Sequence, residues 1–249
     1  MSCQENRELL KSYREDSKSD TGETKGIPQP PLFKGGTGEV TVLPKEFGDC
    51  IKKIDFTEML TSRRSRREYT SEALTLEEFS FLLWAAQGVK KIPKSGKACF
   101  RTVPSAGARH ALELYAAVLN IEGLQKGIYH YLAAEHKLEY LGTPEDMENQ
   151  LAEALCGQKF AVSGACVLML SAVPERMEWR YGELAAKYIL LDAGHACQNV
   201  YLASEAIECG CCAMAAYMQE RMDAFLGLDA EKENVVVYAA AIGRTDLRS

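Results

Sequence analysis

The chain has 249 residues, 47% hydrophobic and 26% charged, with a formal net charge of −6. That composition suits one large or two small globular domains and excludes the broad basic face of a nucleic-acid binder. No apolar run approaches the roughly 20 residues that span a bilayer. The opening MSCQENRELLKSYRED lacks the apolar core of a secretory signal, so a cytoplasmic protein outside the membrane is expected. Nine cysteines, an odd count, read as free thiols of a reducing compartment. Cys209, Cys211 and Cys212 lie in ECGCC with no second cluster at ligand spacing, so no metal is expected there. They read as small, partly buried residues where a helix turns into a strand.

Taken in chain order, residues 1–53 read as an N-terminal arm and 54–249 as the globular domain. Residues 12–26 are polar without periodicity and read as mobile. Residues 27–33 (IPQPPLF) form a stiff, extended apolar piece that cannot build its own core. It is expected to lie on another surface or stay exposed, and a partner subunit is the surface expected. Thr75 to Glu78 is a capping box, followed by Leu76, Phe79, Leu82, Leu83 and Ala86 at helical spacing and stopped by Gly88. Residues 112–119 read as a buried strand, 127–131 and 137–141 as a hairpin around AAEH, and 165–173 as a second buried strand. A helix opened by Pro144 covers 144–155, a short helix covers 219–226, and a last strand covers 234–242. A helix over 183–208 is apolar on most sides, which calls for burial on most sides. Ala193, Gly194, Ala196 and Cys197 in its middle are small enough to admit a second helix, inside the domain or across a dimer axis. The sum is an α+β fold with a central sheet.

Four arginines in Ser62–Arg67 stand out from an acidic chain. Whether extended or helical, the segment brings Arg63 and Arg67 to one side, and Ser65 joins them if it is extended. That convergence suits a phosphate, and a solvated charge run is the other reading of the same residues. In Pro104, Ser105, Ala106, Gly107 and Ala108, small residues let backbone amides approach a flat ring or an anion; a plain turn is the alternative. Gly243 and Arg244 offer one more cationic end. Asp192 and His195 sit three apart on the long helix and read as structural hydrogen-bonding groups of a core or interface.

In this order, RRSRREY at 63–69, LTLEEFSFLLWAAQG at 74–88, PSAGA at 104–108 and LLDAGHACQNVYLA at 190–203 resemble the nitroreductase superfamily, most closely its SagB-type branch. Azole-forming members of that branch oxidise thiazolines and oxazolines in peptide natural products. The resemblance implies an FMN-binding homodimer with a central, mostly antiparallel sheet flanked by helices and two active sites at the subunit interface. Carried over, Arg63, Arg64, Ser65 and Arg67 match the segment on the FMN phosphate and ribityl chain. Residues 104–108 match the segment that meets the flavin of the partner. Met214, Ala215 and Ala216 fall where backbone amides face the ring, and Gly243-Arg244 at a phosphate-side arginine. Where azoline dehydrogenases carry a proton-abstracting Lys-Tyr pair, this chain has Arg180-Tyr181, and arginine is a poor base. Lys187-Tyr188 lies seven residues on; Tyr181, Lys187 and Tyr188 are the catalytic candidates. The expectation is an NAD(P)H-dependent FMN reductase of nitroaromatic, quinone or similar small acceptors. Azoline oxidation is the second reading, and a non-catalytic flavin-binding module the third.

Overall fold

The computed structural model describes residues 20–229 and 234–246, together with residues 3, 7 and 10–12. In chain order the elements are β1 (Val40–Val42), α1 (Phe56–Ser62), α2 (Leu76–Gln87), β2 (Val89–Lys91), β3 (Phe100–Arg101), β4 (Leu112–Val118), β5 (Gly127–Leu132) and β6 (Lys137–Gly142). There follow α3 (Met147–Ala154), β7 (Cys166–Ala172), α4 (Pro174–Tyr181), α5 (Ala185–Ala206), β8 (Cys209–Met214), α6 (Gln219–Phe225) and β9 (Val235–Arg244).

Strands β4 and β7 are buried at every position, so both faces of their sheet are covered. The period of two sends alternate residues to opposite sides. Leu112, Leu114, Ala116 and Val118 face the core built with α2 and α5, while Tyr115 and Ala117 face the one built with α3 and α6. The sheet runs β1-β6-β5-β4-β7-β9-β8 with every neighbouring pair antiparallel. The fold is α+β, as the sequence reading has it. The capping box of α2 forms, with Thr75 Oγ1 accepting from Glu78 N–H and Glu78 Oε2 accepting from Thr75 N–H.

Two expectations need correction. The helix assigned to 144–155 starts at Met147, because the chain first turns through Asp146 at φ 51° and Pro144 lies outside it. Residues 40–53 of the arm belong to the domain itself. β1 extends the sheet edge along β6, Leu43 and Cys50 enter the core, and the N–H groups of Lys52 and Lys53 donate to Ala206 O at the end of α5. The domain therefore begins well before residue 54. Of the stretch read as mobile, residues 13–19 lie outside the described residues. Residues 20–26 form a turn packed on Trp179, where Glu23 N–H donates to Trp179 O at 2.8 Å.

Buried charges anchor the segment between. Arg176 donates to Pro31 O at 2.8 Å and pairs with Glu113 at 2.6 Å, and Arg101 stacks beneath the Phe33 ring. Glu113 accepts from Lys34 N–H, and Glu139 Oε1 accepts from Thr37 and Gly38 N–H. His130 lies between the two glutamates, donating to Glu113 at 3.1 Å and 3.6 Å from Glu139. Glu113, His130, Glu139 and Arg176, all buried, thus find partners in one another and in the backbone of an otherwise coreless segment.

Burial pushes the Glu113 carboxyl up, but the His130 hydrogen bond and the Arg176 charge outweigh it and hold it at about 2, below the ordinary 4.5. The stability it contributes is complete above about pH 4.5 and is lost as pH falls towards 2. Glu113→Gln should cost roughly 3 kcal/mol at pH 7, and that difference from the parent should shrink steadily below pH 4.5 in urea unfolding. A difference that does not change with pH would contradict this account.

Candidate active site

Helix α1 is capped by Asp55, whose Oδ1 accepts from Glu58 N–H, and it ends at Arg63. From there the chain is extended, and Ser65 bridges in parallel to Cys211 of β8. An extended run alternates its side chains. Ser65 Oγ meets Tyr201 Oη at 2.7 Å and the Arg63 guanidinium lies 5.3 Å from the Tyr201 ring centre. Arg66 turns inward to Glu205, which also accepts from Ser62 Oγ at 2.8 Å. The Arg67 guanidinium lies over Phe160, 5.7 Å from its ring centre. Arg64, Ser65 and Arg67 are exposed. The cluster is therefore divided: Arg66 is structural, and Arg63, Ser65 and Arg67 leave two guanidinium groups and a hydroxyl at the surface. Among the described residues neither Arg63 nor Arg67 has an acidic partner.

Tyr201 and Glu205 were not singled out from sequence, although both lie on the long helix one turn apart. The Tyr201 hydroxyl also accepts from Ala213 N–H at 2.8 Å, so it ties the arginine segment to the end of β8. Beyond it Met214 is buried, while Ala215 and Ala216 are exposed and small.

The 104–108 segment makes a 3-10 turn at Ala106–Ala108, with Gly107 at φ 56° and Ala108 at φ 53°. A Cβ on Gly107 would stand 2.6 Å from Tyr181 Oη, so only glycine fits against that hydroxyl. Asp192 Oδ1 accepts from Ala106 N–H at 3.3 Å, and burial pushes the Asp192 carboxyl up. Tyr181 and Tyr188 pack ring to ring at 4.7 Å. Lys187 Nζ donates to Leu10 O and Ser12 Oγ. Candidates Tyr181, Lys187 and Tyr188 thus gather around the N-terminal end of α5, near the Gly107 turn.

Other residues have different places. Arg244 is turned inward: it donates to both Glu78 oxygens at 2.6 Å and to Ile207 O, and it locks β9 to the start of α2. The phosphate role expected for it would need that pair to open. His195 is on the exposed face of α5 rather than in the subunit core. Cys209, Cys211 and Cys212 are buried in β8, and burial pushes all three thiols up, Cys209 to about 12.

The arginine segment and the Gly107 turn are held by different ends of one helix. From Asp192 to Tyr201, at 1.5 Å per residue, is about 13.5 Å along α5. The exposed face of α5 carries Leu190 and Leu191 just before Asp192, at 59% and 51%, and Gly194, His195 and Gln198 between Asp192 and Tyr201.

The family described as "Nitroreductase family" matches residues 60–244. The chain belongs to the nitroreductase family. No helix among the described residues is long and apolar enough to cross a membrane. A nitroreductase-family protein of Methanocaldococcus jannaschii is 36% identical over 167 residues, 67% of this chain and 81% of that one. The trifolitoxin-processing protein TfxB of Rhizobium leguminosarum bv. trifolii is 29% identical over 45% of this chain, a match that spans 31% of its own length. Among solved structures, a nitroreductase-family protein from Ralstonia eutropha superposes with a TM-score of 0.67 at 25% identity, covering 88% of this chain and 96% of that one. A Desulfovibrio desulfuricans family member, solved in complex with FMN, gives a TM-score of 0.55 at 17% identity and covers 80% of this chain and 90% of that one. Membership makes the chain an oxidoreductase by family.

The two arginine roles separate experimentally. Arg66→Ala leaves Glu205, 4% exposed, without its cation and should lower unfolding free energy by roughly 3 kcal/mol. Arg67→Ala removes an exposed cation–π contact and should change it by less than about 1 kcal/mol. Equal losses in chemical denaturation would refute the division.

Proposed function

We propose that the protein is an FMN-dependent NAD(P)H oxidoreductase that reduces small nitroaromatic, quinone or similar acceptors, working as a homodimer. The observation that carries this reading is the pair of guanidinium groups without acidic partners, half-buried Arg63 and exposed Arg67, beside Ser65 in a chain of this family. Two forked cations and a hydroxyl without acidic partners are the donor set of a phosphate monoester. Arg63, Ser65 and Arg67 bind the FMN phosphate, with Arg64 on the same segment and Met214, Ala215 and Ala216 along the ring edge. FMN supplies the hydride chemistry.

The spacing along α5 supports the dimer. A two-fold axis near Gly194 and Gln198 pairs this helix antiparallel with its copy and brings the Asp192 end of one over the Tyr201 end of the other. Each site then takes its phosphate donors from one subunit and residues 104–108, with Tyr181, from the partner. The exposed Leu190 and Leu191 and the open surface at Gly194, where a Cβ would meet nothing within 4 Å, suit that packing. In this arrangement the Ala106–Ala108 turn excludes water from one face of the site and Asp192 holds it there. Tyr181 Oη, against Gly107, is the chain's hydrogen-bond donor towards an acceptor.

The similarity to TfxB favours a second reading, oxidation of azolines in a peptide. That reaction needs a base, and a guanidinium, as at Arg180, is a poor one. Lys187 is engaged by Leu10 and Ser12. The reductase is the better-supported reading.

The purified protein should be yellow, release FMN on denaturation and bleach anaerobically with NADH or NADPH. Protein that takes up no FMN would overturn the proposal. Arg63→Ala or Arg67→Ala should weaken FMN roughly ten- to a hundredfold and leave riboflavin, which has no phosphate, nearly unaffected. Equal losses for both flavins in fluorescence titration would show that these arginines do not read the phosphate.

Gly194→Glu should fold, because its own subunit leaves the position open, and should give monomers that bind FMN weakly. An FMN-loaded dimer of this variant in light scattering would contradict the α5 interface.

A further inference from the structure

Residues 21–27 make a strap across the outer side of α4. Thr21 is buried, Ile27 N–H donates to Gly22 O, and Trp179 Nε1–H donates to Ile27 O at 2.8 Å. Gly22 lies so close to the Trp179 indole that a Cβ would approach it to 2.6 Å. This fit puts the Glu23 carboxylate 3.3 Å from Arg180 Nη1. Arg180 in turn lies against the flavin-facing turn, with its Nε 3.1 Å from where a Gly107 Cβ would be. A second guanidinium is held close by. Arg109, buried, donates to Gly107 O at 3.1 Å and Lys97 O at 2.8 Å and lies 5.3 Å from the Trp179 ring centre. Burial first, and the charge of Arg180 second, push the Arg109 guanidinium below its ordinary value, and Glu23 opposes them.

Two like charges packed together beside an active-site turn call for an oxyanion. The chain supplies one from a surface strap, through a pair in which both side chains are about two-fifths exposed, 39% and 42%. Such a pair is weak, and a ligand can displace it. We propose that Arg180, supported by Arg109, forms an oxyanion subsite beside the Gly107 turn, that Glu23 occupies it in this state, and that the carboxylate of an anionic acceptor displaces Glu23. Arginine where the azoline-oxidising branch has lysine is then a specificity residue: it holds a planar carboxylate through two N–H donors rather than removing a proton. This rests on the flavin reductase reading for the nature of the ligand, whereas the subsite itself is read from binding alone.

The test uses a matched pair, 4-nitrobenzoate and the neutral 4-nitrobenzyl alcohol, titrated calorimetrically into the full-length, FMN-loaded protein. Arg180→Ala should weaken nitrobenzoate roughly fivefold and leave the alcohol within about twofold. Glu23→Gln should tighten nitrobenzoate roughly two- to fivefold, and Glu23→Gln in an Arg180→Ala background should add nothing. Equal effects of Arg180→Ala on both ligands, or no gain from Glu23→Gln, would overturn the subsite. A second arm separates the other source of an oxyanion. If Arg180→Ala raises KM for NADPH but not for NADH and leaves nitrobenzoate affinity unchanged, the arginine serves the donor's phosphate and the proposal fails. Should the protein take up no FMN, the reductase reading fails, yet the same ligand pair titrated into the full-length protein as purified still decides the subsite.

Discussion

Everything in the site hangs from the packing of α5 on the sheet. Its buried face carries Ala193, Ala196, Cys197, Val200 and Ala203, mostly small side chains that let the helix lie close on β8, β9 and β4. Asn199 donates to Ala85 O at 3.0 Å and fixes its rotation against α2. A helix so held acts as a ruler. Asp192 at one point grips the Gly107 turn, and Tyr201 and Glu205, further along, grip the arginine segment. The distance between the two grips is a property of helix geometry, not of either loop. The shared site of the proposed dimer rests on that separation.

The second organising constraint is electrostatic. Glu113, His130, Glu139 and Arg176 are all buried, and ionic groups in such surroundings must satisfy one another and find hydrogen bonds. Here the backbone of residues 31–38 supplies several of the partners. An apolar, glycine-flanked stretch with no core of its own is thereby folded onto the domain that needs it. The consequence reaches the site. Once residues 31–38 are anchored, the strap at 21–27 is delivered to Trp179 and Arg180, next to Tyr181 and Gly107.

The arginines show how residue type and position divide labour within one motif. Arg66 and Arg244 each face a buried glutamate, Glu205 and Glu78, and hold the ends of α5 and β9 in register with their neighbours. Arg63 and Arg67 are kept at the surface by aromatic rings, which orient a guanidinium without neutralising it. A carboxylate partner would compete with any phosphate, whereas a ring does not.

The sequence by itself determined the elements, because their signals are local. The capping box at Thr75 and Glu78, the period of α5 and the largely apolar runs of β4 and β7 each depend on a few adjacent residues. It also singled out the ordered motifs around Arg63, Gly107 and Asp192, which the structure places along one helix. It did not determine that Arg66 rather than Arg63 faces Glu205, that Arg244 closes on Glu78, or that the arm folds back onto its own domain. A three-residue strand such as β1 has too few positions to show a period, and an extended proline-rich segment carries no sign of the surface it will cover. Those outcomes rest on pairs far apart in the chain, Arg66 with Glu205 and Arg176 with Pro31, and only the tertiary structure brings such pairs within reach of one another.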